Sequence, residues 1–457
     1  MTNDLKKSLE AYGIKKIIPY LQKDPEKNFI KVVEWVQKHD KKGVIKTQTD
    51  GIKTYLSDPN GNWYKLIMSI LRDTDSKVLA TIFTNLIVNV FLLGGEKEIE
   101  YSKKYNCNIP QAILMDPTSA CNLHCLGCWA ADYGNKLNMD YDCLNNIIEQ
   151  GTKLGTYFYI YSGGEPLVRK ADIIKLCEEH PDCEFLAFTN GTLIDEKFAD
   201  DMLRVKNFIP AISIEGYEES TDFRRGKGTF QAVMRAMDIL KAKKLLFGAS
   251  LCYTSKNTET IGSPEYFDFL IEKGCRFAWF FTYIPVGVNA KPELMVSAKQ
   301  REDMYHKLRS YRGSKSLFTM DFWNDGEFVK GCIAGGRTYL HINAGGDIEP
   351  CAFIHYSDSN IHQDTLLEAY QKPLFQAYRK NQPFNCNHLR PCPLLDNNGA
   401  LAKMVDESGA HSTDFESPED VHDLCAKCKK AADDWKVVAD KLWEKDHPLQ
   451  ASPTKKK

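Results

Sequence analysis

The sequence predicts an α/β fold: a partial (β/α)6 barrel of the TIM type, with a helical domain before it and a small cysteine-rich domain after it. Two observations carry this reading. Between residues 109 and 310, apolar β-rich runs alternate with helical patterns, the signature of a parallel sheet or barrel. Outside those limits the alternation stops: helical spacing precedes it, and cysteines among Gly, Pro and Asn follow it.

Residues 1–108 carry helical spacing in IIPYLQ, FIKVVEWVQ and WYKLIMSILR, with Asp-Pro and Pro-Asn-Gly breaks between them. The most apolar segment is 77–95. Its unbroken apolar stretch is shorter than the ~20 residues of a spanning helix. Thr81, Asn85 and Asn89 draw one polar stripe down it. A buried or domain-docking helix is expected, with a lipid-contacting helix as the alternative.

In residues 109–310 six runs read as strands: 112–115, 157–161, 185–188, 208–214, 246–253 and 277–284. Helical patterns such as YDCLNNIIEQGTKLG fill the gaps. Residues 311–446 form the last domain, and over 311–430 they show little long periodicity, as in segments where metal replaces a thin core. They end in a charged helix from about Ala426 to Asp446. A polar tail, 447–457, is expected to be disordered.

Bulk properties narrow the function. Net charge is −2 and the pI about 6.6, so no basic excess points to nucleic acid. The opening run MTNDLKKSLEAYGIKK is charged where a secretory signal is apolar. A cytoplasmic location is expected, peripheral to a membrane if the apolar helix meets lipid. Fifteen cysteines in a reducing compartment point to metal rather than disulfides.

The run Cys121-Asn-Leu-His-Cys125-Leu-Gly-Cys128 has C-x3-C-x2-C spacing. Iron–sulfur clusters are held by cysteine thiolates. Three ligands leave one iron of a [4Fe–4S] cube open to a bidentate ligand, such as the amino and carboxylate groups of the methionine in S-adenosylmethionine (SAM). Zinc is the competing metal, though it favours four ligands and CxxC pairs. The loop follows the apolar run AILMDPT, which places it at a strand's C-terminal end, where barrel active sites are built. The next strand runs into Ser162-Gly163-Gly164-Glu165-Pro166. Its glycines allow a close backbone approach to a ligand, and its carboxylate suits an ammonium group.

These two motifs resemble the radical SAM superfamily over about residues 109–290. The resemblance implies that Gly163, Gly164 and Glu165 meet the methionine amino group. Asn190 falls in a TNG turn similar to the superfamily's. Ser213 and Glu215 lie in a strand like the one that meets the SAM ribose. Asp222-Phe-Arg224-Arg225-Gly226 resembles the stretch whose arginine meets the SAM carboxylate, with Arg225 in register. The superfamily usually has an aromatic residue before the third cysteine, near adenine. Here Gly127 stands there, and Trp129, one place after the motif, either takes that role or belongs to the core. His124 reads as a spacer. Cys107, Cys143, Cys177, Cys183, Cys252 and Cys275 lack metal spacing and read as small buried hydrophobes.

Cys332 and Cys351, flanking YLHINAGGDIEPC, resemble the opening of a SPASM or twitch domain with two short strands. Cys386, Cys392, Cys425 and Cys428 follow. The pattern departs from a full SPASM domain at Pro383 and Asp396. The resemblance implies at least one auxiliary [4Fe–4S] cluster on these six cysteines, and a second that is incomplete or takes Asp396 as a ligand. A structural zinc site on four of the six is the alternative.

The activity so implied is reductive SAM cleavage to a 5′-deoxyadenosyl radical and hydrogen abstraction from a substrate. The electron donor would be a flavodoxin or ferredoxin. Peptide or protein modification is the expected work, although the N-terminal helices do not resemble a leader-gripping winged helix. The alternative is a lipid or other long apolar substrate, suggested by segment 77–95, by Trp279, Phe280, Phe281 and Tyr283, and by the likeness of the cysteine loop to lipid-coupling relatives. A non-catalytic iron–sulfur or zinc scaffold is the third reading.

Overall fold

The computed structural model describes residues 20–21, 23–40, 43, 46–288 and 290–448. Most of the expected IIPYLQ helix and positions 449–457 of the expected tail lie outside the described residues.

One nine-stranded sheet dominates, in the order β7-β6-β5-β4-β3-β2-β1-β8-β9. Its strands are β1 Ala112–Met115, β2 Phe158–Tyr161, β3 Glu184–Thr189, β4 Phe208–Ser213, β5 Gly248–Tyr253, β6 Phe277–Thr282, β7 Phe318–Asp321, β8 Tyr339–Ile342 and β9 Ile348–Glu349. All neighbours are parallel except β8 and β9, which form an antiparallel hairpin. The fold is the expected partial barrel. It has two more parallel strands than the six runs, one at each end: β7 beside β6, and β8 beside β1. The hairpin was legible around Ala344-Gly345-Gly346. Its addition to the sheet was not.

Local sequence explains the helices between strands. Asp140, Asp195 and Ser263 each accept a backbone N–H at the start of Tyr141–Leu154, Glu196–Val205 and Pro264–Lys273. Gly155 and Gly274 close two of these helices in the left-handed conformation, where a β-carbon is strained.

Strand alternation sorts side chains into two layers. Ile113, Met115, Tyr159, Tyr161, Phe185, Ala187, Leu251 and Phe280 pack outward among the helices. Ala112, Leu114, Ile160, Leu186 and Ala211 face inward, joined by Phe158, Phe188, Trp279 and Phe281. The inner layer runs on into Trp323, Tyr339, Cys351, Tyr378, Leu394, Cys425 and Cys428. The cysteine-rich segment thus packs against the concave face of the sheet.

The apolar segment lies in one helix, Ser76–Tyr105, with a π-helical stretch at Thr84–Gly94. It is long and apolar enough to cross a membrane, yet 61% of its apolar window is buried within the chain. The polar stripe explains the docking. Asn85 donates to the carbonyls of Pro181 and Cys183, and Asn89 donates to that of Asp182. Both amides are buried, and buried polar groups persist where they are hydrogen-bonded.

Candidate active site

The inward faces of the strands border a cavity of about 340 Å³. Its polar wall comes from the C-terminal ends of the strands: Cys121, Cys125 and Cys128 after β1, Ser162, Gly163, Gly164 and Glu165 after β2, Asn190 after β3, and Ser213 on β4. Arg224 and Arg225 complete it. Phe158, Phe188, Trp279, Phe281, Phe322 and Phe353 line the apolar part.

The cysteine loop is held from three sides. Behind it, the Gly163-Gly164 turn is pressed against the backbone: Gly164 N donates to Thr118 O at 3.0 Å and Glu165 N to Ala120 O at 2.9 Å. A β-carbon on Gly164 would lie 2.2 Å from Ala120 O, and one on Gly163 2.6 Å from Thr118 O. The two glycines therefore admit the loop itself, in addition to bordering the ligand space. On the second side Asn190 donates to Asn122, and Asn122 to Thr192, each at 2.8 Å. On the third, Leu126 N donates to Arg224 O at 2.7 Å.

Glu165 is buried and faces the cavity. Its Oε1 accepts from the Thr189 hydroxyl at 2.6 Å and from Leu167 N at 3.0 Å, and its Oε2 from Asn190 N at 2.7 Å. Burial raises its pKa, and these hydrogen bonds pull it back. A cationic ligand group would favour the same ionised form.

Glu215 departs from the expectation of a cofactor contact. It is absent from the cavity lining. Its Oε1 takes Arg224 Nη1 at 2.6 Å and Arg225 Nη2 at 2.5 Å, so it aims the two arginines instead. Arg225 Nη1 lies 3.9 Å from Cys125 Sγ. Burial raises the Cys121 thiol to about 11, and it also raises Cys128, against which Arg224 and Arg225 pull down.

Gly127 has φ +65°, and a β-carbon there would meet the Tyr283 hydroxyl at 2.7 Å. Tyr283 therefore occupies the space beside the third cysteine. Trp129 lines the cavity and packs edge-on against Tyr133, His341 and His355. It thus belongs both to the cavity wall and to this aromatic cluster.

Beneath Trp129 lies a buried polar network. Ser162 donates to Asp116 Oδ1 at 2.7 Å. His341 sits between Asp116 Oδ2 at 2.9 Å and Glu349 Oε2 at 2.6 Å. Tyr133 donates to Glu349 at 2.8 Å. This network ties β1 to the β8–β9 hairpin.

The second set of cysteines is partly gathered. Cys332, Cys351 and Cys392 line a small cavity of about 40 Å³ with Tyr339 and Tyr378. Burial raises each of these three thiols to about 12. Cys425 and Cys428, on the helix Val421–Asp446, are buried in the same apolar cluster. Cys386 is not brought there: it is exposed and absent from the cavity lining, in a turn where Asn385 accepts from Asn387 N at 2.9 Å. Asp396 is also committed elsewhere. Its Oδ1 takes Arg301 at 2.6 Å and its Oδ2 takes Cys392 N at 2.9 Å, so it orders the Cys392 turn rather than offering a free carboxylate.

Sequence reasoning preferred Arg225 to Arg224, which also borders the cavity, and missed Cys252 there. Cys252 shares the inward face of β5 with Ser250, so strand periodicity held the signal. Among the described residues no three His, Cys, Asp or Glu side chains close on one ion-sized position.

Known proteins match this architecture. The radical SAM superfamily profile matches residues 115–261. An uncharacterized protein of Archaeoglobus fulgidus is 30% identical over 341 residues, 68% of this chain and 79% of that protein. An AdoMet-dependent heme synthase of Methanosarcina barkeri is 22% identical over 302 residues, 60% of this chain and 85% of the synthase. Among solved structures, Streptococcus suis SuiB bound to S-adenosylmethionine aligns with a TM-score of 0.56 at 19% identity, covering 73% of this chain and 82% of SuiB. SuiB bound to its precursor peptide SuiA aligns at 0.53 and 20%, covering 66% and 75%. With the three-cysteine loop, the Gly-Gly-Glu-Pro turn and the partial barrel in place, the chain belongs to the radical SAM superfamily.

Proposed function

We propose that this chain holds a [4Fe–4S] cluster on Cys121, Cys125 and Cys128, binds SAM beside it, and abstracts a hydrogen atom from an apolar group of a peptide or protein. The observation that carries this reading is the convergence of the three thiols, Glu165 and Arg225 on one aromatic-walled cavity. The donor set fits: three thiols leave one cluster corner open, and an acidic and a basic side chain border the same space. When bound, the reduced cluster and SAM supply cleavage of a sulfonium C–S bond and a 5′-deoxyadenosyl radical that removes hydrogen from an unactivated C–H.

The residues have separable tasks. Glu165 accepts the SAM ammonium, and Arg225 meets its carboxylate. Ser213 and Asn190 bound the ribose side, and Trp129 supplies a flat wall for adenine. Phe188, Trp279, Phe281 and Phe353 exclude water from the reacting atoms, which suppresses side reactions. An electron carrier of the flavodoxin or ferredoxin type reaches the loop from its other face, where a cavity of about 440 Å³ is lined by His124, Cys125, Leu126, Val288 and Lys291. One auxiliary cluster is held by Cys332, Cys351 and Cys392 with a fourth thiol from Cys425 or Cys428.

A peptide substrate is supported by the likeness to SuiB, solved with a precursor peptide. A lipid substrate draws on the same aromatic wall, but the apolar helix that suggested it is tied to the barrel by Asn85 and Asn89. Liposome flotation separates the two: retention in the soluble fraction argues against lipid. The central test is anaerobic incubation of reduced, reconstituted protein with SAM. 5′-Deoxyadenosine should form, and Cys125→Ala should abolish it. Equal formation in that variant would refute the reading.

A further inference from the structure

Two buried phenols face the cysteines of the small cavity, and they differ in a telling way. Tyr339 Oη lies 2.8 Å from Cys351 Sγ. A cysteine that ligates metal has lost its proton, so only the phenol is left to donate. Tyr378 is fully buried and lines the same cavity, but its hydroxyl has no hydrogen-bond partner. Leaving such a buried group unpaired is costly. Its surroundings show what would satisfy it. Cys332, Cys351 and Cys392 line the cavity it faces. The unpaired hydroxyl thus belongs to a side chain that lines one cavity with those three thiols, where an acceptor sulfur would satisfy it.

Tyr339 has a second property. Its ring also borders the large cavity, as do those of Phe322 and Phe353. One side chain thus touches the space of the radical chemistry and a thiol of the auxiliary site.

We propose that Tyr339 and Tyr378 set the reduction potential of the auxiliary iron–sulfur site by donating phenol hydrogen bonds to its sulfur: Tyr339 to the Cys351 thiolate, Tyr378 to a thiolate or sulfide of the bound cluster. This rests on the reading of an auxiliary cluster given above. Reduction adds negative charge to the cluster, and a donor aimed at sulfur stabilises that charge, so these bonds raise the potential. They are positioning residues, since neither supplies a ligand.

The test uses the full chain with Cys121, Cys125 and Cys128 all changed to Ala, so that only auxiliary iron remains. Tyr339→Phe and Tyr378→Phe are added singly and together. Iron is counted, and the cluster midpoint is read by potentiometric titration with electron paramagnetic resonance. Each phenylalanine should keep the iron and move the midpoint to more negative potential, with the double variant furthest. Exchangeable-proton couplings at the reduced cluster should weaken in the same order. An unchanged or more positive midpoint in both single variants would overturn the proposal. Iron loss in either would also overturn it, because that phenol would then be holding the site together. An iron-free parent with both tyrosines intact is a different failure, that of the auxiliary site itself.

Discussion

Arg225 meets Glu215 through two nitrogens at once, Nε at 2.9 Å and Nη2 at 2.5 Å, on a carboxylate that also takes Arg224. The three side chains are nearly or wholly buried. Glu215 lies just beyond the end of β4 and the arginines at the end of the helix Glu218–Arg225, so the carboxylate fixes where the guanidinium groups enter the cavity. Glu215→Ala leaves two like charges buried side by side. Removing one partner of a buried pair costs about 3–5 kcal/mol, and denaturant unfolding of the variant should show a loss of that order. Arg225→Lys keeps the charge but not the two-pronged contact. It should fold like the parent and bind SAM more weakly by equilibrium dialysis.

The Gly163-Gly164 turn gives a sharper test of what those glycines are for. A methyl on Gly164 would lie 2.2 Å from Ala120 O and 2.4 Å from Ser119 O, both backbone atoms just ahead of Cys121. Gly164→Ala should push the cysteine loop outward and lower the iron retained by it, read by iron assay and absorbance. Gly313→Ala is the control. Its added carbon meets only Ser310 O, at 3.5 Å, and its φ is −88°. Iron content and stability should be unchanged there.

These two cases show what was legible in the sequence. Cys121, Cys125, Cys128 and the Gly163–Glu165 stretch are short contiguous motifs at strand ends, so spacing, that strand context and the superfamily resemblance together found them. Which way a side chain points was harder. Glu215 and Ser213 are on one strand face by count, yet the strand ends at Ser213, and Glu215 turns to the arginines. Asp396 and Cys386 illustrate the same limit, because loops have no period to count. The pairing of β8 with β1 joins residues far apart in the chain, and no local pattern encodes it. For the same reason the Asp116–His341–Glu349 network was invisible. Conversely, the four-residue spacing of Asn85 and Asn89 was read correctly as a stripe, and only its partners were unknown.

Those partners include Glu184, whose Oε2 is 3.3 Å from Asn85 Nδ2. Burial raises the Glu184 pKa well above its ordinary value near 4.5, against a smaller pull from Asn85, and its Oε1 has no partner. The folded protein therefore keeps a proton here that the unfolded chain releases. Stability from this group is whole below about pH 4.5 and falls as pH rises toward the folded pKa, by up to about 1.4 kcal/mol per unit. Glu184→Gln has no such proton to lose. Urea unfolding at pH 5, 6 and 7 should show the variant gaining on the parent at each step. A gap that stays constant with pH would refute the assignment.

His341 also has a raised pKa, in a higher pH range. Burial alone would lower its pKa, but Asp116 and Glu349 outweigh it and raise it to about 10. The two carboxylates thus favour the imidazolium form of a ring that has no exposed surface. Its contribution to stability is complete below the ordinary value of 6.5 and is lost as pH climbs through about 10. His341→Gln leaves the two carboxylates facing each other without a cation, so it should be less stable at neutral pH by about 3–5 kcal/mol. The deficit should shrink between pH 8 and 10 as the parent loses its proton. A direct check is the ring-carbon resonance of His341, which should stay at its protonated position at pH 8. A neutral ring at that pH would refute the charged pairing, and the tie between β1 and the β8–β9 hairpin would then be a hydrogen-bonded one without the imidazolium charge that makes its loss so costly.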